Sequence, residues 1–254
     1  MKKKYIFIHV RKTAGTSFRA SLRKNFEDSK YCPIQSQIDL HRKYPIEKRA
    51  DFLNDYDLIA GHFFCIGQIL SLSNYSIFMF FRNPIDRVIS AYNHIKNSKK
   101  DRLNQKLKDK SFREALNYEG ANLEMVNSQF KYLIRNFGGP NYNLLENEIE
   151  SKYSYEKHFP LLINMLEKIE YIGITELFNT SIKLFEKQNY DNLDFGKEKI
   201  LNKKVTANGL KFHTMKSEEI AELLKLNFLD MEVYKAALFV FNKRLSTFIE
   251  DKNY

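Results

Sequence analysis

Four short runs of this chain have no polar side, and that feature constrains its fold most. They are Tyr5-Ile6-Phe7-Ile8-His9-Val10, Asp57 to His62, Ser76-Ile77-Phe78-Met79-Phe80-Phe81 and Tyr171 to Thr175. Runs of this length that are apolar on successive residues read as parallel strands covered on both faces. Helical periodicity follows them. After the first run, Phe18, Leu22 and Phe26 recur at spacing four, with Arg19, Arg23 and Lys24 on the other face. After the third, Pro84 fits a first helical turn, and Ile85, Val88, Ile89 and Tyr92 form a stripe. Residues 111–169 read as helical, with breaks at Gly138-Gly139-Pro140 and near Pro160. The fourth run leads into a helix over about residues 176–188, a polar loop to about 211, and two final helices. Strands alternating with helices predict one α/β domain over 1–254, a central parallel sheet flanked by helices, with a helical insertion at about 100–169.

Composition excludes several classes. With 43% hydrophobic residues in 254, the chain can bury a sizeable core, so a mainly disordered chain is excluded. No run approaches the roughly 18 apolar residues of a membrane span. The opening Met1-Lys2-Lys3-Lys4 and its apolar run are cut off at Arg11-Lys12, short of an export signal, so a cytoplasmic location is expected. Cys32 and Cys65 are expected as reduced thiols, with neither a disulfide framework nor a metal cluster. The net charge is +10, and the segment Lys99 to Arg113 holds seven basic residues against Asp101 and Asp109. Such a segment attracts anions or forms a solvated helix face. No finger spacing or ribonucleoprotein-type strand signature accompanies it, so no nucleic-acid partner is expected.

Ligands of parallel sheets sit beyond the carboxyl ends of the strands. Two strand ends carry phosphate chemistry. At the first, Lys12-Thr13-Ala14-Gly15-Thr16-Ser17, small residues admit close backbone approach. The N–H groups of a helix start then face the anion. Lys12 adds a charge, and Thr13, Thr16 and Ser17 add hydroxyls. At the second, Arg82 offers a fork for phosphate, with Ser90 two turns into the helix behind it. A tight capped turn, and pairing of Arg82 with Asp86, are the plain structural alternatives. The turn lacks the G-x-x-x-x-G-K-[ST] order of a P-loop, because Lys12 precedes its only glycine. No acidic residue directly after a strand is placed for Mg²⁺, so no metal is expected.

The segments His9 to Phe18 and Phe81-Arg82-Asn83-Pro84-Ile85-Asp86-Arg87-Val88-Ile89-Ser90-Ala91-Tyr92 resemble the two cofactor signatures of the carbohydrate sulfotransferases. The resemblance is nearest to heparan sulfate 2-O-sulfotransferase and its kin. Gly61-His62-Phe63, Gly173 to Phe178, Lys203 to Thr206 and Asp230 to Phe241 carry further echoes. It implies a P-loop-NTPase-like fold. It also implies sulfuryl transfer from 3′-phosphoadenosine 5′-phosphosulfate (PAPS) to the hydroxyl of a glycan or small hydroxylated acceptor, by in-line displacement and without metal. Lys12 to Ser17 would hold the 5′-phosphosulfate. Arg82 and Ser90 would hold the 3′-phosphate, and Lys204 and Thr206 would close over the nucleotide.

Within that reading Lys12 and His62 are the candidate catalytic residues, His62 as the base that takes the hydroxyl proton. The resembled enzymes carry a second histidine where this chain has Ala60, and often a proline where it has Arg11. Arg11 and His94 are candidate acceptor-binding residues, His9 is expected in the core, and Glu176 is expected as an ion-pair partner. A metal-dependent phosphotransferase and a non-catalytic polyanion-binding protein remain the competing readings. The acceptor and the oligomeric state are left open.

Overall fold

The computed structural model describes residues 3–188, 193–195 and 209–250. In chain order the elements are β1 (Lys4–Ile8), α1 (Gly15–Arg23), α2 (Gln37–Lys43), α3 (Ile46–Asn54), β2 (Leu58–Gly61), β3 (Tyr75–Phe81) and α4 (Pro84–Asn97). There follow α5 (Asn104–Leu107), α6 (Phe112–Leu116), α7 (Asn122–Met125), α8 (Ser128–Phe137), α9 (Tyr142–Lys152) and α10 (Tyr155–Glu167). The chain then returns to the sheet with β4 (Tyr171–Ile174) and continues through α11 (Phe178–Gln188), α12 (Ser217–Leu226) and α13 (Phe228–Glu250).

Among the described residues the sheet has order β2-β1-β3-β4, with every pair parallel. Its residues divide between two cores with period two, as a strand requires. Ile6, Ile8, Ile77 and Met79 face the core that also holds Leu133 of α8, Leu166 of α10 and Ala237 of α13. Tyr5, Phe7, Phe78 and Phe80 face Phe18 of α1 and Phe185 of α11. The Phe18 ring lies 5.0 Å from those of both Phe7 and Phe80. Each fully buried ring of this kind contributes about 1.5–3 kcal/mol. A third cluster joins α4 to α6, α7 and α12 through residues such as Val88, Ala115, Met125 and Leu223.

Register sets the working edge. Ile8 stands opposite Gly61 and Met79, and Phe81 opposite Ile174. β3 and β4 thus run two residues past the ends of β1 and β2, and the chain leaves the same rim of the sheet at His9, His62, Arg82 and Thr175.

The strands begin and end within two residues of the predicted runs; His9 and Val10 are buried but have left β1. The break at Gly138-Gly139-Pro140 is present, with Gly139 at φ 78° between α8 and α9. The predicted break near Pro160 is not. Pro160 lies inside α10, and the nearby break falls at Tyr153 and Ser154. Pro160 is exposed, so water can reach the backbone carbonyl it leaves unpaired, while Leu162, Met165 and Leu166 hold the other face in the core. Helices α2 and α3 have no counterpart in the sequence reading. Both cysteines are free thiols. Among the described residues no helix is long and apolar enough to cross a membrane.

Candidate active site

The turn after β1 is held in an uncommon backbone form. Lys12 and Ala14 have φ of 69° and 62°, the left-handed region that costs a residue with a side chain about 1–2 kcal/mol. Two bonds hold it there. Thr13 Oγ1 donates to the Val10 carbonyl at 2.8 Å, and Arg82 Nη1 donates to the Lys12 carbonyl at 3.0 Å. Helix α1 then starts at Gly15, directly on the His9 ring. A Cβ at Gly15 would stand 2.0 Å from that ring, so only glycine admits this approach. Ala14 supplies no side-chain cap, which leaves the first N–H groups of α1 as donors facing the rim. Thr13 was expected to turn its hydroxyl to an anion, but that proton is committed to Val10. Thr16 is exposed and Ser17 is buried.

Two cations flank this turn. Burial, then the neighbouring Arg11 and Arg82 charges, push the Lys12 ammonium down to about 8, against a pull from Asp101. Arg82 is likewise lowered by burial, opposed by Asp86 and Glu176. Neither has a carboxylate within ion-pair distance among the described residues, so the alternative pairing of Arg82 with Asp86 is not formed. The Arg82 backbone is clamped instead. Its N–H donates to Gln129 Oε1 at 2.8 Å, and Gln129 Nε2 donates to its carbonyl at 2.9 Å. Next along, Asn83 N–H donates to Glu176 Oε1 at 2.9 Å, and Tyr234 Oη donates to Glu176 Oε2 at 3.0 Å. Glu176 is thus a hydrogen-bond acceptor for two neutral groups, where an ion pair was expected. Ser90 is half-buried on the α4 face that also carries Asp86 and Asn93. Asn93 pairs with both backbone groups of Leu210, each bond at 2.9 Å. Lys204 and Thr206 lie outside the described residues.

His62 stands one residue beyond β2. A Cβ at Gly61 would meet the Gln35 carbonyl oxygen at 2.1 Å, so glycine lets that segment close on the strand. Gln35 and Gln37 then bracket His62 through its N–H and carbonyl, at 2.8 and 3.1 Å. The ring Nδ1 lies 2.7 Å from the His9 carbonyl. A carbonyl only accepts, so Nδ1 carries the proton and Nε2 keeps its lone pair. Burial lowers the His62 pKa, with the His9 hydrogen bond opposing, so the ring is neutral at pH 7. His9 packs beside it, ring centroids 4.4 Å apart, and burial holds it well below the ordinary range. Ala60 points into the core on α1, so the second imidazole beside His62 is that of His9, the residue just past β1.

A cleft of about 380 Å³ opens at His62. On its wall Arg11 pairs with Asp101 and, at 3.2 Å, with Glu124. Burial works against the Arg11 charge, but these two carboxylates outweigh it and raise the pKa. Burial likewise opposes ionisation of Asp101, yet Arg11 and the Leu103 N–H hold its carboxyl below the ordinary value. His94 Nε2 lies 3.7 Å from the same carboxylate. Burial, then Lys12 and Arg11, lower its pKa. The structure thus brings Lys12, Arg11, His94 and Arg82 around one rim, with His62 on the cleft beside it. Sequence reasoning missed Glu124, Gln129 and Tyr132, and noticed Asp101 only as a charge inside the basic run. No periodicity marks them, because each reaches the site across a fold-level contact. Among the described residues no group of three or more His, Cys, Asp or Glu side chains is placed to hold a metal ion.

Comparison with known proteins gives one family. The sequence model of the sulfotransferase family matches residues 1–236. No curated protein and no solved structure matches the chain.

Proposed function

The chain belongs to the sulfotransferase family, and on that footing we propose that it moves a sulfuryl group from PAPS to a hydroxyl of a carbohydrate or similar acceptor. The observation that carries this reading is the pair of uncompensated cations, Lys12 and Arg82, flanking an uncapped helix start on one rim. Lys12 and Arg82 are both half-buried; drawing a cation out of water without a partner is costly, and an anionic ligand removes the cost. The likeness of both segments to the cofactor signatures of heparan sulfate 2-O-sulfotransferase-type enzymes supports the same donor.

When bound, the donor supplies a sulfuryl group already activated for in-line transfer. The α1 N–H groups and the Lys12 ammonium stabilise negative charge that grows on its oxygens. Removing one such donor typically costs about 10²–10³ in rate. Arg82, with its backbone held by Gln129, grips the phosphate at the other end. It reaches the Lys12 carbonyl as well, so the two anion sites are mechanically joined. His62 Nε2 takes the proton of the acceptor hydroxyl, and the His9 carbonyl fixes the tautomer this needs.

The test is stabilisation by 3′,5′-adenosine bisphosphate. At about a hundred times its Kd the ligand should add about 2.7 kcal/mol and raise Tm by several degrees. Arg82→Ala should abolish most of that shift. Stabilisation by ATP with Mg²⁺ alone would establish a metal-dependent phosphotransferase instead. Salt-sensitive polyanion binding indifferent to Lys12→Ala would establish a non-catalytic binder.

A further inference from the structure

The rim holds its positive charge in two different ways. At the donor turn, Lys12 and Arg82 have no carboxylate partner among the described residues. In the cleft beside His62 nearly every cation is already matched. Arg11 pairs with Asp101 and Glu124, Arg102 lies 3.5 Å from Glu124, and Arg42 lies 3.4 Å from Asp39. Only Lys100, exposed at the mouth, has no carboxylate within ion-pair distance among the described residues. A protein of net charge +10 therefore presents an acceptor cleft close to charge balance. An anionic group seated in the cleft would meet three carboxylates, and every lining cation other than Lys100 would have to leave an existing pair to bind it. A neutral polyol would not, because carboxylate lone pairs remain to accept its hydroxyls.

Tyr132 adds an independent observation. It is 4% exposed and lines this cleft, yet its phenol oxygen makes no hydrogen bond to the described residues and is not sealed from solvent. The charges it feels most are Glu124 and Arg11, on the same wall. Burial pushes its ionisation far up, so the hydroxyl keeps its proton and can donate. Phe64, 6.4 Å away edge-on, and Leu123 give the cleft an apolar side against which a sugar ring can lie.

Resting on the sulfotransferase reading above, we infer that the part of the acceptor entering the cleft is an uncharged polyhydroxylated ring, a neutral saccharide unit, and that Tyr132 is the group that positions it. The Tyr132 hydroxyl donates to an oxygen neighbouring the reacting one, and the Asp101 and Glu124 carboxylates accept from others. The basic residues Lys99, Lys106 and Lys108 are exposed outside the cleft and do not enter this recognition.

Matched acceptors test this. Transfer of radiolabelled sulfate from PAPS is measured on p-nitrophenyl glucopyranoside and galactopyranoside, and on the corresponding uronides, which exchange only the C6 hydroxymethyl for a carboxylate. The neutral member of a pair should be preferred by about tenfold or more, the discrimination of one mispaired polar group. Its KM should change little between about 50 and 200 mM salt. Tyr132→Phe, which keeps the ring packing, should lower kcat/KM for the neutral sugar by about tenfold while leaving the half-saturating PAPS concentration unchanged. Preferred labelling of uronides, labelling of a heparin oligosaccharide to the exclusion of the neutral sugars, or indifference to Tyr132→Phe overturns the inference. Failure of the donor reading registers elsewhere, as the absence of any Tm shift with the bisphosphate.

Discussion

Lys12 and His62 are shifted by the same cause with opposite consequences for pH. Both lose solvation on burial, so both release their proton more easily than in water. For His62 this lowers the pKa from its ordinary value of about 6.5, so the base is neutral at pH 7. For Lys12, at about 8, it means the charge that holds the donor fades just above neutrality. The expected kcat/KM profile is bell-shaped, with its acid limb below about 6.5 and its alkaline limb near 8. Bisphosphate affinity should follow the alkaline limb, weakening as pH rises through about 8, since only the protonated ammonium attracts the anion. Stability of the empty protein moves the other way. Between about 8 and the ordinary lysine value the unfolded chain binds a proton that the folded one has released, so this group favours folding more as pH rises. Residual activity of His62→Ala should lack the acid limb. An acid limb that survives in that variant would remove His62 as the base.

At the scale of elements, legibility in the sequence follows from how each site residue gets there. Lys12, His62 and Arg82 stand just past strands that the apolar runs announce, and a parallel sheet brings all strand ends to one rim whatever the rest of the chain does. Residues delivered by the helices between α4 and β4 are different. Glu124 and Tyr132 reach the cleft because α7 packs against α4 and α8 against the turn Ile66–Gln68 beyond β2, Asp101 reaches it from the loop between α4 and α5, and helical periodicity does not say which polar residue faces a distant loop. At Pro160 the local proline rule loses to tertiary packing, because its neighbours Leu162 and Met165 are held in the core. Gln129 is the clearest omission: fully buried at the start of α8, it fixes the Arg82 backbone through two hydrogen bonds. Gln129→Leu keeps the volume and removes both bonds. Each backbone group left unpaired should cost about 1–3 kcal/mol in urea unfolding. Bisphosphate affinity should also fall, because the Arg82 fork loses its anchor. Unchanged affinity in a folded Gln129→Leu would show that Arg82 is positioned by the Lys12 carbonyl alone.

Across the whole molecule, one buried knot joins the sheet-bearing frame to the helices that furnish the cleft. Arg87 of α4 and Asp230 of α13 are both fully buried, with Nε and Oδ2 3.4 Å apart. Arg87 Nη1 donates to the Glu124 carbonyl at 2.8 Å, so the same guanidinium also fixes the backbone of the residue that holds Arg11. Asp230 Oδ1 accepts from the Phe130 N–H at 2.8 Å at the start of α8, one residue past Gln129. Burial raises the Asp230 pKa and Arg87 opposes it. Removing one partner of such a pair strands the other charge. Asp230→Ala should therefore cost about 3–5 kcal/mol and lower Tm accordingly. A double variant separates charge from shape. In Arg87→Met with Asp230→Asn no charge is buried, and the Asn oxygen still accepts from Phe130. Stability should recover most of the loss, since replacing a buried pair with neutral groups of similar volume is often nearly neutral. In this double variant the Glu124 carbonyl loses its Arg87 donor, so sugar transfer should be impaired while bisphosphate binding is kept. Recovery of transfer along with stability would show that the knot serves folding alone and leaves the cleft wall to hold itself.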